Sequence, residues 1–272
     1  MQDVVTMVLM GGSGEAKGIR HILRHRDFRL LLTGFSISSA GDWLYGVALV
    51  VFVFDETGSA TWVGAATIVR LLPYIFLGPL GGVVADRYEQ RTVMVMSDVA
   101  RAILMFGLAL VAMSSAPVAL ALAFTFLATV AGTPFGPAMQ SLLPRICDED
   151  ELAAGNSLMS VVENTALVAG PAIGAVLLLL GSPALAFALN GATFVVSAIV
   201  TQAIRTKGSA QTDQEETPSV ATRLVEGFAG IRDSGAASLL VLFVVIASFL
   251  YGFEVVFTVL LAEGRLGMGS EG

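Results

Sequence analysis

Cysteine is almost absent. Cys147 is the single thiol in 272 residues, so no intrachain disulfide can form, and the side chain reads as inert. Histidine is nearly as scarce: His21 and His25 are the only two, and both precede the first long apolar run. An intramembrane enzyme built on His-Glu-x-x-His or on a Ser with a His is thereby excluded. The two lysines, Lys17 and Lys207, also lie outside the apolar runs, which rules out a Schiff base and with it a retinal-type seven-helix protein. The glycine-rich stretch Gly12 to Gly18 lacks the glycine before its lysine and the Ser or Thr after it, so no nucleotide-phosphate loop is present. Charge itself is thin, at 14% of residues.

Apolar residues fill the space that these absences leave. Hydrophobic residues make up 55% of the chain and the mean hydropathy is +0.80, more than a soluble core can hide. Seven apolar runs of spanning length occur at 29–54, 62–84, 92–113, 117–137, 158–180, 183–203 and 237–262, each near the ~20 residues that a bilayer requires. The expected fold is an all-α membrane bundle with the lipid bilayer as its solvent. No cofactor, metal or nucleic-acid partner is expected, because the basic residues carry a topology signal instead.

That signal lies in where Lys and Arg fall. Lys17, Arg20, Arg24, Arg26 and Arg29 precede span 1; Arg87 and Arg91 follow span 2; Arg145 follows span 4; Arg205, Lys207, Arg223 and Arg232 separate spans 6 and 7. The alternate loops hold Asp55, Glu56, Glu263 and Glu271 against Arg265 alone. The positive-inside rule then places the N-terminus in the cytoplasm, at the inner membrane of the cell. Residues 1–16 do not read as a signal peptide, since Asp3 precedes a short apolar stretch without a basic leader. His21 and His25, four apart, are expected on a solvated or headgroup-facing helix.

The organisation expected is a basic N-terminal segment (1–27), six spans (28–204), a cytoplasmic connection (205–236), a seventh span (237–262) and an extracytoplasmic loop (263–272). In the connection, 208–218 has linker composition, whereas Val220, Leu224, Phe228 and Ile231 share one helical stripe, as in an amphipathic helix on the membrane surface. Six spans, a crossover and a restart suggest internal duplication. Leu44-Tyr45-Gly46 in span 1 recurs as Leu250-Tyr251-Gly252 in span 7.

Six charged residues stand inside spans 1, 2, 3, 5 and 7, each costing roughly 2.5 to 3.5 kcal/mol at mid-membrane without a partner. Counting ~1.5 Å per residue, Asp42 lies ~20 Å and Arg70 ~21 Å from the inner ends of spans 1 and 2, a common depth that predicts a buried pair serving either structure or transport. Asp98 and Arg101, three apart on span 3, read first as a structural ion pair. Glu163, only ~8 Å into span 5, faces either the inner cavity or the interface. Glu254 in span 7 has no basic partner in sequence and reads either as a proton-titrating carboxylate or as a plain cavity acid. Trp43 and Tyr45 follow Asp42, and Phe249, Tyr251 and Phe253 surround Glu254, so the expectation is either an aromatic, mildly anionic cavity for an apolar or cationic small molecule or aromatic residues that face lipid.

Between spans 2 and 3, Gly81 to Arg91 forms a charged turn of about six polar residues, Asp86 to Arg91, which only antiparallel neighbouring helices can accommodate. This turn is similar to a signature of the major facilitator superfamily: Gly82, Asp86, Arg87 and Arg91 match it, whereas Glu89 stands where that family has glycine and Gln90 where it has a basic residue. Arg26-Asp27-Phe28-Arg29 with Ala40-Gly41-Asp42-Trp43-Leu44, and Leu143-Pro144-Arg145 with Glu151-Leu152 and Asn156-Ser157-Leu158, resemble the branch containing macrolide efflux proteins and siderophore exporters. Gly170-Pro171-Ala172-Ile173-Gly174 resembles the glycine-proline motif that exporters carry in span 5; Gly170 and Gly174 permit close helix contact and Pro171 permits a bend.

The resemblance implies a secondary transporter working by alternating access, with the turn between spans 2 and 3 (Gly82, Asp86, Arg87, Arg91) and the span 5 motif (Gly170, Pro171, Gly174) as gating elements. It further implies a proton gradient as energy source and export of a hydrophobic or amphipathic molecule. Members have twelve spans, so seven imply an incomplete transporter whose C-terminal half is missing. The in-membrane arginine of proton antiporters on span 4 is absent. A membrane sensor or binding module is the alternative from a different class.

Overall fold

The computed structural model describes residues 19–206, Gly208 and six further positions between 235 and 246. The amphipathic stripe at 220–231 and Glu254 lie outside the described residues, as does span 7 apart from isolated positions. The described chain is helical, with helices long and apolar enough for six membrane spans. Span 1 is α1, Arg26–Thr57; span 2 is α2, Ala60–Arg87; span 3 is α3, Gln90–Ala112. Span 4 is broken into α4, Val118–Gly132, and α5, Phe135–Ile146. A 3-10 turn at Glu149–Glu151 leads into span 5, α6, Leu152–Leu180, and span 6 is α7, Pro183–Gln202.

The helix ends follow local chemistry. Gly58 at φ 59° closes α1 in the left-handed region and donates its N–H to Phe54 O, a conformation that glycine adopts without Cβ strain. Pro117 and Pro183 sit at the starts of α4 and α7, where a missing N–H costs nothing. Pro134 marks the break in span 4, with Thr133 Oγ1 donating to Val130 O at 2.8 Å. Pro73, Pro79, Pro144 and Pro171 are carried inside helices.

Three expectations about boundaries are corrected, the first being that span 4, expected to end at 137, runs on to Ile146. The turn between spans 2 and 3 is Tyr88-Glu89 rather than six residues: α2 runs through Asp86 and Arg87, and Gln90 Nε2 caps its end by donating to Ala85 O at 3.0 Å. Span 5 begins at Leu152 instead of 158, because a capping box at Asp148 and Glu151 starts the helix among polar residues that apolar counting excludes.

The buried core is split in depth. One cluster, with Ile22, Phe28, Leu31, Met94, Leu142 and Ile204, occupies the end where the chain enters span 1. The other, with Leu44, Phe52, Leu108, Ala121 and Phe187, occupies the opposite end. The charged residues of spans 1 and 3 lie between them, at Asp42, Asp98 and Arg101, and Arg70 of span 2 reaches the same level.

The basic segments gather at the first of these ends. Arg26 Nη1 donates to Ala203 O and Arg91 Nη1 to Ile204 O, both at 2.9 Å. The Asp27 carboxylate accepts from Arg205 N–H at 3.0 Å and from both Thr206 N–H and Oγ1 at 2.7 Å. The starts of spans 1 and 3 thereby hold the exposed carbonyls and amides at the end of span 6, where a helix has no internal partners to offer.

Candidate functional site: a charged cavity at mid-depth

Arg101 is the hub. Its Nη2 donates to Asp98 one turn earlier on α3, and its Nη1 lies 3.4 Å from Asp42 Oδ2 on α1. Its guanidinium stands over the rings of Phe194 (4.1 Å) and Phe135 (4.9 Å). A planar cation suits this arrangement, taking carboxylates at its edge and aromatic faces on its flat sides. The Asp98 side chain is 0% exposed and that of Asp42 37%, so one carboxylate is sealed behind the arginine and the other faces open space.

That space comprises two adjoining cavities of about 500 and 420 Å³, both lined by Asp42, Trp43, Tyr74, Arg101 and Glu163, with Arg70 and Tyr45 lining the first. The expected pair of Asp42 with Arg70 is corrected in its chemistry. Arg70 reaches Asp42, but Nη2 donates to the main-chain carbonyl at 2.9 Å, while the carboxylate faces Arg101. Arg70 also stacks over Tyr45 at 5.0 Å. Gly46 makes room for it, since a Cβ there would strike the guanidinium.

Glu163 lies deeper than expected. With α6 starting at Leu152, it is ~16 Å along the helix and belongs to the cavity lining. Gly170 and Gly174 bring α6 against α1 beside Asp42: a Cβ at 170 would collide with Trp43 Cβ, and one at 174 would stand 3.2 Å from Leu44 O. Pro171 lies between them in a helix that continues to Leu180.

Inside α2, near the end of span 2, the tight glycine is Gly81 rather than Gly82. A Cβ at 81 would meet the Thr133 carbonyl at 2.5 Å, whereas nothing lies within 4 Å of one at 82. Asp86 and Arg87 are exposed in the last turn of α2. Arg91 is anchored to Ile204 O and, through Nε, to Glu89 at 3.3 Å. Cys147 is buried, and burial, reinforced by Glu151 and Asp148, pushes its thiol up to about 11. His21 is exposed and His25 partly so, as expected of a solvated segment, but both rings also meet the buried Glu151, which the sequence did not announce.

Phe194, Phe135, Tyr74 and Gly46 were not singled out as site residues in sequence. Only Gly46 carried a signal, through the Leu-Tyr-Gly echo, and that signal pointed to duplication instead. The aromatic partners of Arg101 come from spans 4 and 6, and no spacing within one helix announces them.

Among the described residues, six apolar spans around a charged, aromatic cavity define a multi-pass membrane protein. The chain belongs to the Major Facilitator Superfamily, whose family profile matches residues 31–272. It is 30% identical over 178 residues to a putative bacilysin exporter of Bacillus subtilis, covering 65% of this chain and 44% of that protein. It is 24% identical over 226 residues to macrolide efflux protein A of Streptococcus pyogenes, covering 82% and 56% respectively. A multidrug efflux pump of Mycobacterium bovis matches at 26% over 211 residues, 75% of this chain and 49% of the pump. The chain thus spans about half the length of the curated relatives that it matches.

Proposed function

We propose that the protein exports a hydrophobic or amphipathic small molecule by alternating access, coupled to the proton gradient through Asp42. The observation that carries this reading is the division of Arg101 between a sealed carboxylate, Asp98, and a cavity-facing one, Asp42. A proton entering the cavity reaches Asp42 first. Neutral Asp42 loses its charge-based hold on Arg101, which stays with Asp98, so spans 1 and 3 are released from one another at mid-depth without stranding a buried arginine. Glu163, Trp43 and Tyr74 offer an acid and two aromatic surfaces to a cationic or apolar substrate.

In this reading the membrane is the plasma membrane, with the N-terminus and the basic end cytoplasmic by the positive-inside rule. Asp86, Arg87 and Arg91 form the gate at that end, and the Gly170-Pro171-Gly174 segment lets span 5 move against span 1. Glu254 is a second coupling acid contributed from span 7. The transporter is completed by a second half. The match to only about half of each relative supports this, as do the sparsely buried second and fifth spans, 17% buried over their most apolar stretch against 39–50% for the others.

The test is efflux of a fluorescent hydrophobic dye from cells expressing the natural reading frame that carries this chain, with and without an uncoupler. Efflux should collapse with the uncoupler and in Asp42→Asn. Uncoupler-resistant efflux would refute proton coupling, and undiminished efflux in Asp42→Asn would remove that residue from the mechanism.

A further inference from the structure

His21 lies in the helical turn at 19–22 ahead of span 1, and His25 is the residue from which α1 starts. Glu151 closes the 3-10 turn before span 5. The histidines are 130 and 126 residues away in sequence, yet both imidazoles converge on the one carboxylate. His21 Nδ1 bonds Oε1, and His25 Nε2 lies 3.2 Å from Oε1 and 3.1 Å from Oε2. One donor atom from each residue can be chosen so that all lie within 4.8 Å of one another. The Glu151 side chain is 4% exposed, whereas those of His25 and His21 are 34% and 60% exposed. Besides the imidazoles, Glu151 accepts the Asp148 main-chain N–H at 3.1 Å through Oε2.

We propose that His21, His25 and Glu151 form a binding site for a divalent transition-metal ion of the Zn2+ class. Two imidazole nitrogens and one carboxylate oxygen are a borderline donor set, suited to zinc, nickel or copper rather than to magnesium or calcium. A tetrahedral ion with bonds of about 2.0 to 2.1 Å holds its donors about 3.3 Å apart. The distances from His25 Nε2 to the carboxylate already have this size. The His21 ring sits closer and is exposed enough to draw back. The same exposure leaves a fourth position and a path of entry from solvent. The Asp148 N–H holds the carboxylate in place, the kind of supporting bond that metal ligands commonly have.

A bound ion would tie the segment before span 1 to the start of span 5. Those helices carry Trp43 and Glu163 on the cavity wall and touch at Gly170 and Gly174. Metal occupancy would therefore link the two helices at their shared end, independently of what the cavity carries.

The experiment uses the product of the natural reading frame that carries this chain, purified in detergent without a polyhistidine tag, stripped with a chelator and titrated with ZnCl2. Bound metal is counted by elemental analysis and affinity measured by calorimetry. The expected result is one zinc per chain and a zinc-dependent rise in thermal midpoint. Affinity should fall at least about tenfold in His21→Asn and in His25→Asn, and remain unchanged in the control Glu149→Gln. His21 is exposed, so its variant should fold, whereas Glu151→Gln also disturbs the capping box and does not decide the matter alone. Substoichiometric binding, or equal affinity in the double histidine variant, would overturn the site. So would a thermal midpoint indifferent to zinc, because an ion bound by the folded chain alone must stabilise it.

Discussion

Arg101 Nη1 and Asp42 Oδ2 meet at 3.4 Å across spans 3 and 1, 59 residues apart in sequence, while the other terminal nitrogen of the same arginine is bound to Asp98. One cation thus serves two acids of very different exposure. The fully sealed acid stands behind the arginine, and the partly exposed one lines the cavity.

This division predicts unequal costs. Asp98→Asn leaves a buried arginine short of its principal counter-charge and should destabilise the bundle by about 3 kcal/mol or more. Asp42→Asn should cost clearly less, because its contact is longer and partly solvated. Thermal unfolding of the two purified variants in the same detergent checks the order, and a larger loss for Asp42→Asn would contradict it.

The neighbouring glycines Gly81 and Gly82 should behave oppositely. Gly81→Ala drives a methyl group into the main chain at Thr133, which cannot yield as a side-chain tip can, and should cost about 1 to 3 kcal/mol. Gly82→Ala enters open space on a helix and should be neutral or stabilise by up to about 1 kcal/mol. Expression level and thermal midpoint of the pair measure this.

Gly46→Ala should separate site from fold. The atoms it would strike are the mobile end of Arg70, so the bundle should survive while Arg70 loses its bond to the Asp42 carbonyl. The expected outcome is reduced dye efflux with a thermal midpoint close to that of the parent. A midpoint loss as large as that of Gly81→Ala would show that the arginine's placement is structural.

Arg91→Ala removes a charged donor from the Ile204 carbonyl at the end of span 6, an interaction worth about 1.5 to 3 kcal/mol. Faster amide exchange at 204–206 is expected, with the middle of span 6 unaffected. Uniform acceleration along the helix would mean that the contact supports the whole bundle.

Cys147 should resist thiol reagents. The thiolate is the reactive form, and with the thiol pushed up to about 11 little of it exists at neutral pH. Maleimide labelling of the folded protein should be slow at pH 7 and rise about tenfold per pH unit towards pH 10. Rapid labelling at pH 7 would contradict this.

Much of the fold was legible in the sequence because the bilayer requires long apolar helices and the distribution of basic residues separates their two ends. All six described spans stand where apolar runs stand, and Asp98 with Arg101 followed from helical spacing alone. The errors fell at polar boundaries. Counting apolar residues ended span 4 at 137 and began span 5 at 158, whereas α5 continues to Ile146 and α6 starts at Leu152. That shift is why Glu163 looked shallow.

By itself, the sequence determined what cannot be hidden from lipid: the rough limits of the six described spans, the charges within them and the superfamily. The tertiary structure decided which groups those charges meet. Asp42 takes Arg101, Arg70 takes a carbonyl, the flat faces of Arg101 take Phe135 and Phe194, and two histidines take a glutamate more than 120 residues away. Helical periodicity fixes neighbours three and four residues apart, whereas contacts between spans depend on how far each helix is rotated and displaced along its axis. Those are set by close packing at positions such as Gly81, Gly170 and Gly174, and no single helix encodes them.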